Sequence, residues 1–242
     1  MFNLLRLIYR REKLGMMQRK FLVTLLVSFG ILHSCRNGEA EKSRGDIYAK
    51  YSIWGEEGKE LVNVFFQFQS GGPDGQALSL INPAKVLLDN NFLIADSARE
   101  GGVFYELQMP VEDFDGAHTI TFIDADKKEY RQEFSFTSFR LKNKIGDTLN
   151  RNEMVLNVEG LKENELVRVV ITDTSFEGDG VNEMDTVRNN QLDLRKFLRA
   201  ISNGPINLHL YKEEERLLNN GSSGWGEISI TYGLKREFEL KD

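Results

Sequence analysis

The chain has 242 residues, with 31 Lys+Arg against 37 Asp+Glu, three His and one Cys. A composition of 40% apolar and 28% charged residues is that of a packed globular protein and excludes wholesale disorder. The single cysteine excludes an internal disulfide framework and a Cys-based zinc cage within one chain, and no apolar run reaches the ~20 residues of a membrane-spanning helix.

Residues 21–32 read FLVTLLVSFGIL, an uncharged apolar run directly after Arg19 and Lys20. A basic flank, a short apolar stretch and a polar sequel have the physics of a secretory signal: the positive end stays in the cytoplasm while the apolar stretch enters the membrane. A signal that begins at Met16 or Met17 is compact, whereas a start at Met1 adds a long basic segment, and both starts stay open. The run ends in Leu32-His33-Ser34-Cys35. This resembles the lipobox of bacterial lipoproteins, in which an apolar residue, a small residue and then cysteine mark the cleavage site. Leu32 and Ser34 fit; His33 stands where the family usually has a smaller residue. The resemblance implies that Cys35 is acylated and becomes the first mature residue. Acyl burial contributes ~0.8 kcal/mol per methylene, so two or three chains anchor durably. The expected address is the cell envelope, the outer membrane favoured over the inner and the periplasmic side over the surface.

Six of the 31 basic residues and one of the 37 acidic ones precede Arg36, which leaves 25 against 36 and a formal charge of −11. Phosphate binding needs the opposite sign, so nucleic acid is not an expected partner. Residues 36–46 (RNGEAEKSRGD) are polar and small and read as a flexible tether.

The remainder reads as strands. Val62, Val64, Phe66 and Phe68 alternate with Asn63, Phe65, Gln67 and Gln69, a period of two. Val103, Tyr105, Leu107 and Met109 repeat the pattern, as do Ile120 with Phe122, and Phe134 with Phe136. Turn signals separate them at residues 71–75, Asn90-Asn91 and Gly101-Gly102. The pattern then restarts with Met154, Leu156 and Val158, with Val167, Val169 and Ile171, with Ile206, Leu208 and Leu210, with Ile228, Ile230 and Tyr232, and finally with Phe238 and Leu240. Lys212-Glu213-Glu214-Glu215-Arg216 is expected as a solvated hairpin tip. Leu194, Phe197, Leu198 and Ile201 follow helical spacing, with Asp193 as N-cap, Leu192 and Phe197 as a staple and Asn203-Gly204-Pro205 as the stop.

Residues 60–75 and 165–180 share seven of sixteen residues at an offset of 105, and residues 131–136 match 235–240 at an offset of 104. Two such blocks in the same order point to duplication of one β-domain. The expected fold is all-β: a signal segment over 1–35, a tether over 36–46, and two tandem β-sandwiches over 47–139 and 140–242, with one short helix in the second. This pattern resembles the immunoglobulin-like modules common in bacterial envelope lipoproteins. The Cys…Trp…Cys hallmark of antibody domains is absent, so burial of apolar side chains, the 16 Phe among them, has to hold each sandwich.

Chemistry-bearing residues are sparse. His118 and His209 have no ligand-spaced neighbours and read as structural or solvated, and no HExxH, GxSxG or phosphate loop occurs. The chain is therefore not expected to be an enzyme, nor to carry a cofactor. Asp173, Asp179 and Asp185 lie in an acidic segment that offers calcium its preferred oxygens, although the spacing does not match an EF-hand. Trp54, Trp225 and Tyr232 lie near strand ends, where flat rings stack on sugars in glycan-binding sandwiches. The expected partners are thus the membrane through a lipid anchor and either an envelope protein or a glycan. The functional expectation is an anchored, non-catalytic binding or scaffolding module, with glycan capture as the alternative and, behind it, an enzyme whose site is assembled only in space.

Overall fold

A computed structural model describes residues 38–39, 47–98, 101–173, 180–218 and 224–242. No helix among them is long and apolar enough to cross a membrane. The first described residues form β1 (Gly38–Glu39), a two-residue strand within the expected tether that lies parallel to β4 (Gln76–Ser79).

The first sandwich follows from β2 (Ile47–Glu56), β3 (Leu61–Ser70), β4, β5 (Lys85–Leu88), β6 (Asn91–Phe92), β7 (Ala95–Ala98), β8 (Gly102–Pro110), β9 (Gly116–Ile123) and β10 (Glu129–Phe136). Its strands divide into the order β2-β3-β8-β7 on one face and β10-β9-β5-β6 on the other. That is the ABED and GFC order of an immunoglobulin-like sandwich, with β6 as an added C′ strand. The alternation of β3 is the reason it sits centrally. Val62, Val64, Phe66 and Phe68 are all fully buried, and Phe68 crosses the sandwich to Phe122 of β9 at 4.8 Å between ring centroids. Between β5 and β6 the two central turn residues are Asp89 and Asn90, both at positive φ, one position earlier than the expected Asn90-Asn91 turn.

The second sandwich uses β11 (Arg140–Leu141), β12 (Thr148–Asn150), β13 (Val155–Glu159), β14 (Leu166–Asp173), β15 (Val181–Thr186), β16 (Gln191–Asp193), β17 (Gly204–Leu217) and β18 (Gly224–Lys241). One sheet is β11-β13-β16; the other is β15-β14-β17-β18, with β12 parallel to the end of β18. This is the ABE and C′CFG division of the same topology. Its core is aliphatic, built from Val167, Val169 and Ile171 with Leu208, Leu210, Leu156 and Val158.

Three expectations change. The helix over 194–201 is instead two 3-10 turns, Leu194–Lys196 and Leu198–Ala200. Asp193 does cap, accepting from the Arg195 backbone N–H. However, the segment is too short to repay helix nucleation; Phe197 and Ile201 donate to the carbonyls three residues back, Leu194 and Leu198, and the Arg151 guanidinium caps the end at the Leu198 and Ile201 carbonyls. The run 212–216 is not a turn but lies inside β17, paired with 228–232 of β18. Buried Ile228 and Ile230 hold it in the ladder, and Lys212 and Glu213 pair with Glu165 and Arg168, each at 2.7 Å. Finally, the offset-105 block superimposes β3, a B strand, on β14, a C strand, so that likeness reflects shared strand composition. Only the offset-104 block joins equivalent strands, β10 and β18.

The two sandwiches share a sheet. β18 pairs in parallel with β2 over ten residues, from Gly224↔Ile47 to Gly233↔Glu56, so the ABED face of the first continues through its A strand into the C′CFG face of the second. Gly226 lets the backbones approach: a Cβ there would lie 2.3 Å from the Ala49 carbonyl oxygen. Behind the seam, Tyr232 meets Phe136 and Phe139 edge-on at 5.9 and 5.5 Å.

Candidate binding face

The outward-facing residues of the shared sheet follow from its register, because side chains of a strand alternate between faces. One row runs Gln108, Asn63, Trp54, Thr231, Glu213 across β8, β3, β2, β18 and β17. The next runs Glu106, Phe65, Ser52, Ser229, Glu215 across the same strands. Five strands at about 4.8 Å make each row roughly 19 Å wide. The rows are tied laterally: Gln108 Nε2 donates to Asn63 Oδ1 at 2.9 Å, and Ser229 Oγ to Ser52 Oγ at 3.2 Å. Phe65 stacks on Phe104 at 5.0 Å between ring centroids. Lys50 pairs with Glu227 at 3.3 Å beyond the second row. Trp54 is 44% exposed and borders a groove of about 520 Å³ that Lys59, Glu60, Leu61 and Asn63 also line.

The site residues expected from sequence are dispersed. Trp54 lies on this face. Trp225 is placed by its backbone in β18 opposite Tyr48, but its side chain lies outside the described residues. Tyr232 is 6% exposed and held between Phe136 and Phe139, so it cannot offer a flat ring to a sugar. Its phenol borders a second cavity of about 350 Å³ with Glu57, Asp115, Arg140 and Glu159; burial and those first two carboxylates raise its pKa. Cys35 and Asp179 lie outside the described residues. Asp173 and Asp185 occupy opposite ends of the β14–β15 hairpin: Asp173 follows Ile171↔Val181, whereas Asp185 pairs with Val167. Six residues of strand separate those ends by roughly 20 Å, so the two aspartates do not share a cation. Asp185 instead accepts from Lys196 at 2.6 Å. Among the described residues no group of three or more His, Cys, Asp or Glu is set to hold a metal.

The two described histidines have structural partners. His118 is buried, stacked on Phe114 at 4.0 Å, with its ring nitrogens 2.7 Å from Asp89 Oδ2 and 2.6 Å from the Phe114 carbonyl. His209 lies opposite Lys235 in the β17–β18 ladder and contacts the Tyr211 hydroxyl at 2.9 Å. Desolvation first, and the Lys235 charge second, lower its pKa below the ordinary 6.5. The folded state therefore resists protonation, and stability falls as pH drops through the unfolded-state value. The expected result is that His209→Gln loses less melting temperature than the parent between about pH 7.5 and pH 5.5; parallel curves would refute it.

Sequence reasoning singled out Trp54 but missed Phe65, Phe104, Ser52, Asn63, Gln108 and Ser229 as its companions. The polar positions of β3 were visible as the non-core half of an alternation. Their neighbours depend on the β2–β18 pairing, between segments about 180 residues apart, and no local signal carries that. In comparisons with known proteins, no family model and no curated protein matches the chain. Among solved structures it is similar to the crystal structure of DIP-gamma IG1+IG2, at 8% identity and a TM-score of 0.23, covering 81% of this chain and 98% of that one. The immunoglobulin-like assignment rests on the strand order of the two sandwiches.

Proposed function

We propose that the chain is a lipid-anchored lipoprotein of the cell envelope whose tandem sandwiches act as a non-catalytic binding or scaffolding module. The observation that carries the anchor is the placement of the only cysteine, Cys35, directly behind the uncharged run 21–32 and its basic flank. Its thiol accepts the diacylglyceryl group, and cleavage before it frees the amine for a further acyl chain. The acidic balance of residues 36–242 disfavours broad adhesion to an anionic membrane face, so attachment depends on acyl burial. An outer-membrane position on the periplasmic side suits this architecture. The binding role is supported by the wide, accessible sheet face, since residues on a rigid scaffold hold a recognition surface in fixed geometry.

Phase partition of the full chain tests the anchor. The parent is expected in the detergent-rich phase, with an acylated Cys35 as the first residue by mass spectrometry. Cys35→Ser is expected to move to the aqueous phase or to stay uncleaved. An unmodified N-terminus upstream of residue 35 in the soluble cell extract would overturn the proposal.

A further inference from the structure

We propose that the outer face of the shared sheet is a platform for an uncharged, extended glycan, held by ring stacking and by hydrogen bonds to its hydroxyls. This rests on the binding-module reading above and gives its ligand class. The rings come first. Trp54 and Phe65 are diagonal neighbours on adjacent strands, about 7–8 Å apart, and Phe104 stacks beside Phe65. The exposed ring among them is Trp54, and the C–H face of a pyranose lies flat on such an indole, whose face carries negative charge density; Phe65 and Phe104, part-buried and stacked on each other, make an apolar floor beside it. Between and beside the rings stand amides and hydroxyls: Asn63 and Gln108 on one side, Ser52, Ser229 and Thr231 on the other. Each of these groups can both donate and accept, as a sugar hydroxyl does.

The charge distribution selects an uncharged partner. Lys50 and Arg168 are engaged by Glu227 and Glu213, and Glu106 and Glu215 close the second row at either end. A polyanion would meet carboxylates and few available cations, so nucleic acid and anionic polysaccharide are disfavoured. A protein interface concentrates contiguous apolar surface at its centre, whereas here rings alternate with amides and hydroxyls. The platform is open and roughly 19 Å wide, which suits a polymer laid across it more than a single enclosed sugar. The groove beside Trp54, with Leu61 and Asn63, gives one end of the chain a place to turn down.

Native affinity electrophoresis of the full chain in detergent tests this, with hydroxyethylcellulose, xylan or galactomannan cast in the gel and carboxymethylcellulose as the anionic control. Retardation is expected with at least one uncharged polymer and not with the anionic one. Trp54→Ala is expected to weaken binding by about tenfold or more, and Gln108→Ala by about threefold, with melting temperatures near the parent's. Absence of retardation by all three uncharged polymers would overturn the proposal. So would stronger retardation by carboxymethylcellulose, parental binding by Trp54→Ala, or a dimer in the parent that Trp54→Ala abolishes. Cys35→Ser reads the anchor separately: it is expected to lose the acyl chains by mass spectrometry and leave retardation as in the parent.

Discussion

Phe136→Ala is expected to lower the melting temperature of the whole chain by roughly 6–20 °C, in a single transition. Phe136 ends β10, is fully buried, and touches Phe114 within the first sandwich and Tyr232 of β18 in the second. Truncating a buried Phe to Ala costs about 3–5 kcal/mol, because the transfer term is joined by an unfilled cavity. In a protein of this size each kcal/mol shifts the midpoint by roughly 2–4 °C. The single transition is the more informative part. Two sandwiches joined by a linker would unfold independently, and the second would keep its own midpoint. The ten-residue parallel pairing of β2 with β18 makes the first sandwich's A strand a neighbour of the second sandwich's G strand, so loss of one removes a ladder from the other. Calorimetry that resolves two transitions, only one of them moved, would refute the coupling. Gly226→Ala probes the seam from its other side. The added Cβ meets the Ala49 carbonyl oxygen at 2.3 Å, a backbone atom with little room to move, and the same single transition is expected to shift downward.

The seam also shows which parts of the fold were legible in the sequence. Strands with one buried face announced themselves: most core-facing positions of β3, β8, β14 and β18 recur at every second residue, because period two is the pattern that puts alternate side chains on the core. β15 was silent. Its sequence, VNEMDT, is an edge strand with mostly accessible side chains, and its two apolar residues, Val181 and Met184, are not spaced by two, so no alternation marks it. The run 212–216 reads as a solvated tip for the same reason: its charges lie on a strand whose ladder partners, not its own side chains, supply the apolar half. The 3-10 turns at 194–200 kept the expected buried residues Leu194, Leu198 and Ile201 but not the expected helix. Spacing of i, i+3, i+4, i+7 reports which side chains share a face over two turns. It does not report whether the N–H groups bond back to i−4 or to i−3, as Phe197 does to Leu194 and Ile201 to Leu198 here.

The candidate face was legible only in fragments. Trp54 stood out as a rare large ring near a turn, whereas Tyr232 and Trp54 looked equivalent from sequence. What separates them is parity. Both lie on strands of one sheet, but Tyr232 occupies the inward parity of β18 and Trp54 the outward parity of β2. A one-residue change of register would exchange their roles, and register between two distant segments is fixed by packing that no local window contains.

Asp89→Ala is expected to cost about 2–5 kcal/mol, more than a typical exposed substitution. Asp89 sits in the two-residue turn between β5 and β6 at φ 49°. Its Oδ1 accepts from the Thr119 N–H at 2.8 Å and its Oδ2 faces His118 Nδ1 at 2.7 Å. Alanine removes both acceptors and leaves a buried ring nitrogen without its partner, which costs the desolvation of that group in addition to the lost bond. Alanine also tolerates positive φ less well than Asp or Asn, whose short polar side chains favour that region. Two controls divide these contributions. Asp89→Asn keeps the turn geometry and one amide oxygen for Thr119, and is expected to lose about half as much. Asp89→Gly relieves the backbone but restores neither acceptor, and is expected to fall close to alanine. The carboxylate is about one-third exposed, so water supplies part of what alanine removes, and the lower half of the range is favoured. Chemical denaturation of the three variants decides it. If glycine matched the parent, the positive-φ turn alone would account for the loss, and the His118–Asp89 contact would contribute nothing measurable to the first sandwich.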